Sequence, residues 1–133
     1  MKTRNVALII FYDDKKRILL QDRRGISRLG EEWGFFGGEI EKIETPEQAV
    51  VRETKEELDF DLKEYKYVGK LSDKIKNLFI VRKVFISPLK NNFSKFKLKE
   101  GKKMHLFSLD EAEKLKMVSE GDIEMIRKLK KIL

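Results

Sequence analysis

Cysteine is missing from the 133 residues, and histidine, tryptophan and proline occur once, once and twice. Without cysteine there is no disulfide framework, no thiolate zinc site, no iron–sulfur cluster and no thiol nucleophile. With His105 as the one histidine, multi-histidine metal sites and the paired histidines of a metalloprotease are excluded too. Proline and the eight glycines are too sparse for a collagen-like or disordered chain. No apolar run approaches the roughly 18 residues of a membrane span. The start, Met1 to Asn5, leads into a short apolar stretch with no small-residue cleavage site, which reads as a strand. The expectation is an intracellular, cytoplasmic protein with no membrane partner.

What is present suffices for one core. Hydrophobic residues make up 41%, and the length fits a single domain over residues 1–133. Charged residues make up 40%, with 30 basic against 23 acidic side chains and a net charge of +7. That balance favours polyanionic partners, nucleotides before nucleic acid, although a lysine-rich solvated surface accounts for it equally well.

The periodicity predicts a buried strand over 4–12, a polar turn at 13–16 and a returning strand to Asp22. A polar loop over 23–32 leads to a short strand, Trp33 to Phe36, that ends at Gly37-Gly38. Thr45-Pro46-Glu47-Gln48 combines a capping threonine, a first-turn proline and a capping-box glutamine, and predicts a helix to about Leu58. Strands are expected near 62–71 and 77–87, a lysine-rich connection over 89–99 and a last strand over 104–107. A second capping box at Ser108–Glu111 predicts a helix to about Lys116. Ile123, Ile126, Leu129 and Ile132 form an apolar stripe on a terminal helix. With too few βαβ units for a doubly wound sheet, the expected class is α+β, a mixed sheet flanked by helices.

The helix over 45–58 carries charges that a fold does not need. Glu53, Glu56 and Glu57 stand at i, i+3 and i+4, so they share one face. Like charges at that spacing cost about 0.2–0.5 kcal/mol per pair, and the carboxyl end of a helix disfavours anions. A bound divalent cation reverses the sign of both effects. The bland alternative is a solvated acidic face eased by an Arg52–Glu56 pair.

The surroundings of that helix decide between these readings. Gly38, five residues, Glu44, seven residues and then Arg52-Glu53-Thr54-Lys55-Glu56-Glu57-Leu58-Asp59-Phe60 resemble the Nudix hydrolase signature, G-x5-E-x7-R-E-U-x-E-E-x-G-U, with U a bulky apolar residue. Trp33 to Gly38 resembles the W-x-F-P-G-G that precedes it. There are three departures. Thr54 replaces the first apolar residue, Asp59 replaces the glycine, and Phe36 replaces the proline and is expected to narrow or reshape the cleft. Asp59 is expected to end the helix in a slightly strained left-handed conformation.

The resemblance implies an α/β/α sandwich and hydrolysis of a nucleoside diphosphate linked to another moiety, with Mg²⁺, or Mn²⁺ in its place, as cofactor. It implies Glu53, Glu56, Glu57 and the Gly38 carbonyl as metal ligands, and Arg52 as the residue that orients Glu44 or Glu53. It also implies Gly37 and Gly38 beside the substrate and Arg23 on a phosphate. The general base stays open among Glu53, Glu56, Glu57 and Glu100, and Glu100 is also a candidate ligand. His105 reads as structural, and Trp33 as a core or rim aromatic or a base-stacking ring.

Segments that mark the NADH, ADP-ribose, dinucleoside polyphosphate and coenzyme A subfamilies are missing. Elimination therefore favours a MutT-like nucleoside triphosphate pyrophosphohydrolase, as monomer or homodimer. ADP-ribose, dinucleoside polyphosphates and RNA 5′ ends remain alternative substrates, and a non-catalytic nucleotide sensor is the alternative of another class.

Overall fold

The apolar run near the amino terminus becomes β1 (Lys2–Tyr12), and the run before Pro88 becomes β6 (Leu78–Pro88). They lie side by side and parallel, in register from Lys2 opposite Leu78 to Tyr12 opposite Pro88. Burial on both faces explains why β1 reads as a continuous apolar run and β6 as rich in Leu, Ile, Val and Phe rather than as alternating strands. This computed structural model describes residues 1–99 and 103–133.

The other strands are antiparallel additions. On one side β5 (Lys66–Ile75) pairs with β6. On the other, β2 (Ile18–Asp22) pairs with β1, with β3 (Trp33–Gly34) and with β7 (Met104–Phe107). β4 (Phe36–Glu39) pairs with the middle of β1. The mixed sheet is covered on one face by α1 (Pro46–Leu58), over a core that includes Ala7, Ile9, Phe11, Phe36 and Phe85. The other face carries α2 (Leu109–Ala112) and α3 (Glu120–Ile132), over Ile10, Ile18, Leu20, Val84, Met125 and Ile126. This is the expected α+β class and sandwich. No described helix is long and apolar enough to cross a membrane.

Four local expectations are corrected. The single strand over 33–36 is two strands, since the chain passes from pairing with β2 to pairing with β1 at Phe35. β5 begins at Lys66 instead of 62, because Leu62 is buried in the irregular segment that packs against α1. The helix opened by the Ser108 capping box lasts one turn. The Lys116 carbonyl accepts from the Glu32 and Trp33 amides at 2.9 and 3.1 Å, so the chain there joins β3 in place of continuing the helix. On α3, Ile123, Ile126 and Leu129 are buried as expected, but Ile132 is exposed and Met125 takes the fourth core position.

Candidate functional site

Two glycines set the site, for different reasons. Gly37 lies at φ 133°, and a Cβ there would fall 2.1 Å from the Ala7 carbonyl oxygen, so only glycine lets β4 close onto β1. A Cβ on Gly38 would fall 2.5 Å from the carboxyl carbon of Glu53. The absence of that side chain is what admits the carboxylate against the strand. The Gly37 amide donates to Glu57 Oε1 at 2.8 Å.

The helix that delivers these carboxylates is fixed at both ends. Its capping box is complete: Gln48 N donates to Thr45 Oγ1 at 3.1 Å and Thr45 N to Gln48 Oε1 at 2.9 Å. At the other end Asp59 adopts φ 52°, ψ 41°, the left-handed conformation expected of it. The lysine-rich connection docks there as well: Lys97 N donates to Leu58 O at 2.8 Å and Lys99 N to Glu57 O at 2.9 Å. Phe96 anchors the connection between Phe11 and Phe60, at ring-centroid distances of 4.8 and 4.9 Å. Glu100, the candidate base or ligand that comes next, lies outside the described residues.

Arg52 binds the acidic residues together. Its Nε and Nη2 donate to the two Glu44 oxygens at 2.7 and 3.0 Å, a bidentate pair. Nη1 donates to Glu53 Oε1 at 2.8 Å and to Glu56 Oε2 at 3.2 Å, and Nη2 also reaches the Glu39 carbonyl at 2.9 Å. The Arg52 hydrogen bond, then the Glu41 amide, hold the Glu44 carboxyl down at about 2. The bond to Glu44 in turn raises the Arg52 pKa, against burial and with help from Glu53. The Arg52–Glu56 pair of the bland reading is thus present, as one contact of a larger network.

Glu53, Glu56 and Glu57 border one cleft of about 810 Å³ together with Gly37, Gly38 and Arg23. Arg23 is held at its rim by Glu31, Nε to Oε2, at 3.3 Å. Arg24 pairs with Asp22 at 2.6 Å, lies over the Trp33 ring and does not line the cleft. Trp33 packs edge-on against Phe107 and is no part of the cleft wall. His105 is exposed on β7, against Phe107. Phe36 does not reshape the cleft: it is fully buried beneath α1, and its neighbour Phe35 lines the cleft instead. Phe35, at the step between β3 and β4, and Phe36, the first residue of β4, take opposite sides of the sheet.

As they stand, no three acidic or histidine side chains among the described residues gather closely enough to hold an ion. The donor chemistry nevertheless suits a hard divalent cation. The carboxylates that border the cleft offer oxygen only, Gly38 leaves room beside Glu53, and Glu56 has a side chain 58% exposed that is not locked into the core.

One cluster at the cleft is absent from the sequence expectations. Arg82, inside the apolar run of β6, is 2% exposed. Its Nε donates to Asp122 at 2.8 Å, Nη1 to Asp73 at 2.6 Å and Nη2 to Ser119 Oγ at 2.6 Å. Burial pushes the Asp122 carboxyl up, against the pull of Arg82. For Asp73, burial is outweighed by bonds from Arg82, Ser119 and the Gly121 amide, and its pKa is lowered. The signal in the sequence was the charged pair Arg82-Lys83 inside a largely apolar strand, of which alternation must turn one inward.

Comparison with known proteins agrees with this geometry. The NUDIX domain family matches residues 1–129, so the chain belongs to that family. Among curated relatives, an 8-oxo-dGTP diphosphatase of Proteus vulgaris is 36% identical over 61 residues, 46% of this chain and 54% of that protein. The m7GpppN-mRNA hydrolase dcap-2 of Caenorhabditis elegans is 36% identical over 87 residues, 62% of this chain and 11% of that protein. The matches thus span about half of the bacterial relative and a tenth of the nematode one. A MutT protein from Methanosarcina mazei Go1 superposes with a TM-score of 0.81 at 18% identity, over 98% of this chain and 94% of that one, a likeness of fold.

Proposed function

We propose that this chain, as one domain over residues 1–133, hydrolyses a pyrophosphate bond in a nucleoside diphosphate-linked substrate with the help of a divalent cation. The favoured substrate is a nucleoside triphosphate, with water added across the bond between the α- and β-phosphates to give a monophosphate and pyrophosphate. The observation that carries this reading is the cleft itself, bordered at once by three helix carboxylates, the Gly37-Gly38 strand and the cationic Arg23. The family membership and the diphosphatase relative support it.

In this reading Glu53, Glu56, Glu57 and the Gly38 carbonyl hold Mg²⁺, with Mn²⁺ as a substitute. The bound ion neutralises phosphate oxygens and acidifies water. Arg52 keeps Glu44 ionised and orients Glu44 and Glu53, and Arg23 takes a phosphate oxygen. The general base is one of Glu53, Glu56, Glu57 or Glu100. The nematode relative favours one second reading, hydrolysis at an RNA 5′ end.

The test is a product assay over canonical and oxidised nucleoside triphosphates, ADP-ribose, dinucleoside polyphosphates and 5′-triphosphorylated or capped RNA, each with Mg²⁺ and with EDTA. Metal-dependent release of a monophosphate from nucleoside triphosphates is the expected result. Turnover confined to RNA moves the assignment to the second reading. Nucleotide binding without turnover of any substrate replaces the enzyme by a sensor.

A further inference from the structure

The sheet face that carries α1 has an open part away from the cleft. α1 packs over β4 and β1, and among the described residues the rows of β5 and β6 beyond it stay open short of Phe85, which Tyr65 and Tyr67 cover. Register places Lys70 beside Lys83, Ser72 beside Val81 and Lys74 beside Phe79, with Thr3 and Asn5 of β1 continuing the rows. Thr3, Asn5, Lys70, Ser72, Lys74 and Phe79 are exposed. At the far end of the same face Tyr67 is 48% exposed, leaning on Phe85 at a centroid distance of 5.4 Å. Phe79 and Phe85 are six residues apart on β6, a separation of about 20 Å that several nucleotides can span.

The charge on this face has one sign. Alternation gives it Lys70, Lys74 and Lys83 and turns Asp73, the acid of β5, to the opposite face, where it meets Arg82. No acidic residue of β1, β5 or β6 shares the face. Apolar side chains scattered singly over a surface need no explanation. Here two rings flank three lysines on an open sheet, which is the combination of stacking surfaces and phosphate-binding cations that suits an unpaired strand.

We propose that this face binds single-stranded nucleic acid, at a site separate from the hydrolytic cleft. A second copy of the chain is the poorer occupant. Two-fold pairing through the face would set like-charged lysine rows against each other, which disfavours association.

The test is fluorescence anisotropy with a 12-nucleotide uridine oligomer that has a 5′-hydroxyl end and a 3′ fluorophore, in EDTA. The free 5′-hydroxyl and the chelator take the cleft out of play. The unaltered protein should bind at low salt, with a slope of log affinity against log salt of about −2 from three lysine–phosphate contacts. Lys70→Glu with Lys74→Glu should weaken binding at least about tenfold, and Phe79→Ser at least about fivefold. Sedimentation of the same proteins shows their association state, and circular dichroism their fold.

Lysine acetylation footprinting of the unaltered protein covers a variant that fails to fold: the oligomer should protect Lys70, Lys74 and Lys83. The proposal is overturned if the unaltered protein does not bind, if the variants bind as well as it does, or if these lysines stay unprotected. It is equally overturned if the charge reversal dissociates a dimer that never bound the oligomer.

Discussion

Two arginines each gather carboxylates, and they do so under opposite conditions. Arg52 lies on the cleft side of α1 with its side chain 26% exposed and engages Glu44, Glu53 and Glu56 within a short stretch of chain. Arg82 is 2% exposed and joins β5, β6 and the start of α3 through Asp73, Asp122 and Ser119. The first cluster keeps water at hand, so its charges cost little to maintain and remain available to a ligand. In the second, Arg82 and Asp122 are almost wholly buried at the cleft wall and only Asp73 is partly exposed, so its charges must largely satisfy each other. One arrangement serves a site and the other fastens a helix to a sheet, although the residue types are nearly the same.

The largest expected effect separates activity from stability at the first cluster. Glu57→Gln keeps an amide oxygen to accept from the Gly37 amide but removes the charge. It should lower turnover by about 10²–10⁴-fold and leave the unfolding midpoint in metal-free buffer unchanged or raised. Glu56→Gln should do the same. Steady-state assays beside urea unfolding check this, and activity that survives both changes would refute the ligand set.

The second cluster should respond in the opposite currency. Arg82→Ala leaves Asp122 buried and without its guanidinium partner, and removal of one partner from a buried pair costs about 3–5 kcal/mol. Urea unfolding at neutral pH reads that loss. A change below about 1 kcal/mol, the range of exposed pairs, would mean that water enters the cluster and that the contrast with Arg52 is false.

Acid sharpens the comparison, because Glu44 of the first cluster and the buried Asp122 of the second move in opposite directions, while Asp73 is lowered like Glu44. Glu44 titrates at about 2 in the folded chain against its ordinary 4.5, so the folded state binds fewer protons between those values. The stability from its pairing is therefore complete above pH 4.5 and is lost as pH falls toward 2. Burial raises Asp122, so its contribution is instead present at low pH and lost as pH rises. Glu44→Gln should flatten the fall of unfolding free energy in acid. Parallel curves for the variant and the unaltered protein, from urea titrations at successive pH values, would show that the Arg52 pair does not contribute as its geometry indicates.

The same contrast explains what could be read from the chain. The Arg52 cluster is local: cap, helix face and paired glycines all lie between residues 37 and 59, and spacing alone sets them on adjoining surfaces. The Arg82 cluster is not local. Its partner Asp122 is 40 residues away, and no periodicity pairs them.

Failures elsewhere have the same origin. Ser108 and Glu111 form their capping box, yet the helix they open stops because the Lys116 carbonyl is taken by the amides of Glu32 and Trp33. Phe36 occupies the expected motif position, but which of two adjacent phenylalanines faces the cleft depends on how β4 registers against β1. Strand existence was legible, while strand order and the docking of the 89–99 connection onto α1 were not, since those rest on tertiary contacts.

The smallest effect belongs to the carboxyl end of α1, where a local departure meets a local compensation. Asp59 sits at φ 52°, a conformation that costs about 1–2 kcal/mol for most residues, less for aspartate, and little for glycine. Its side chain recovers part of this through Lys55, with Nζ to Oδ1 at 3.2 Å, an exposed pair that solvent screens. Asp59→Gly relieves the first and forfeits the second, and the freer unfolded chain of glycine offsets some of the gain. The expected result is a change within about 0.5 kcal/mol, neutral or slightly stabilising, with the Lys97 and Lys99 amides still bonded to Leu58 and Glu57. Thermal unfolding of the variant measures it. A clear drop in melting temperature would show that the Asp59 carboxylate holds the lysine-rich connection, Lys99 included at 4.0 Å, more firmly than its exposed geometry indicates.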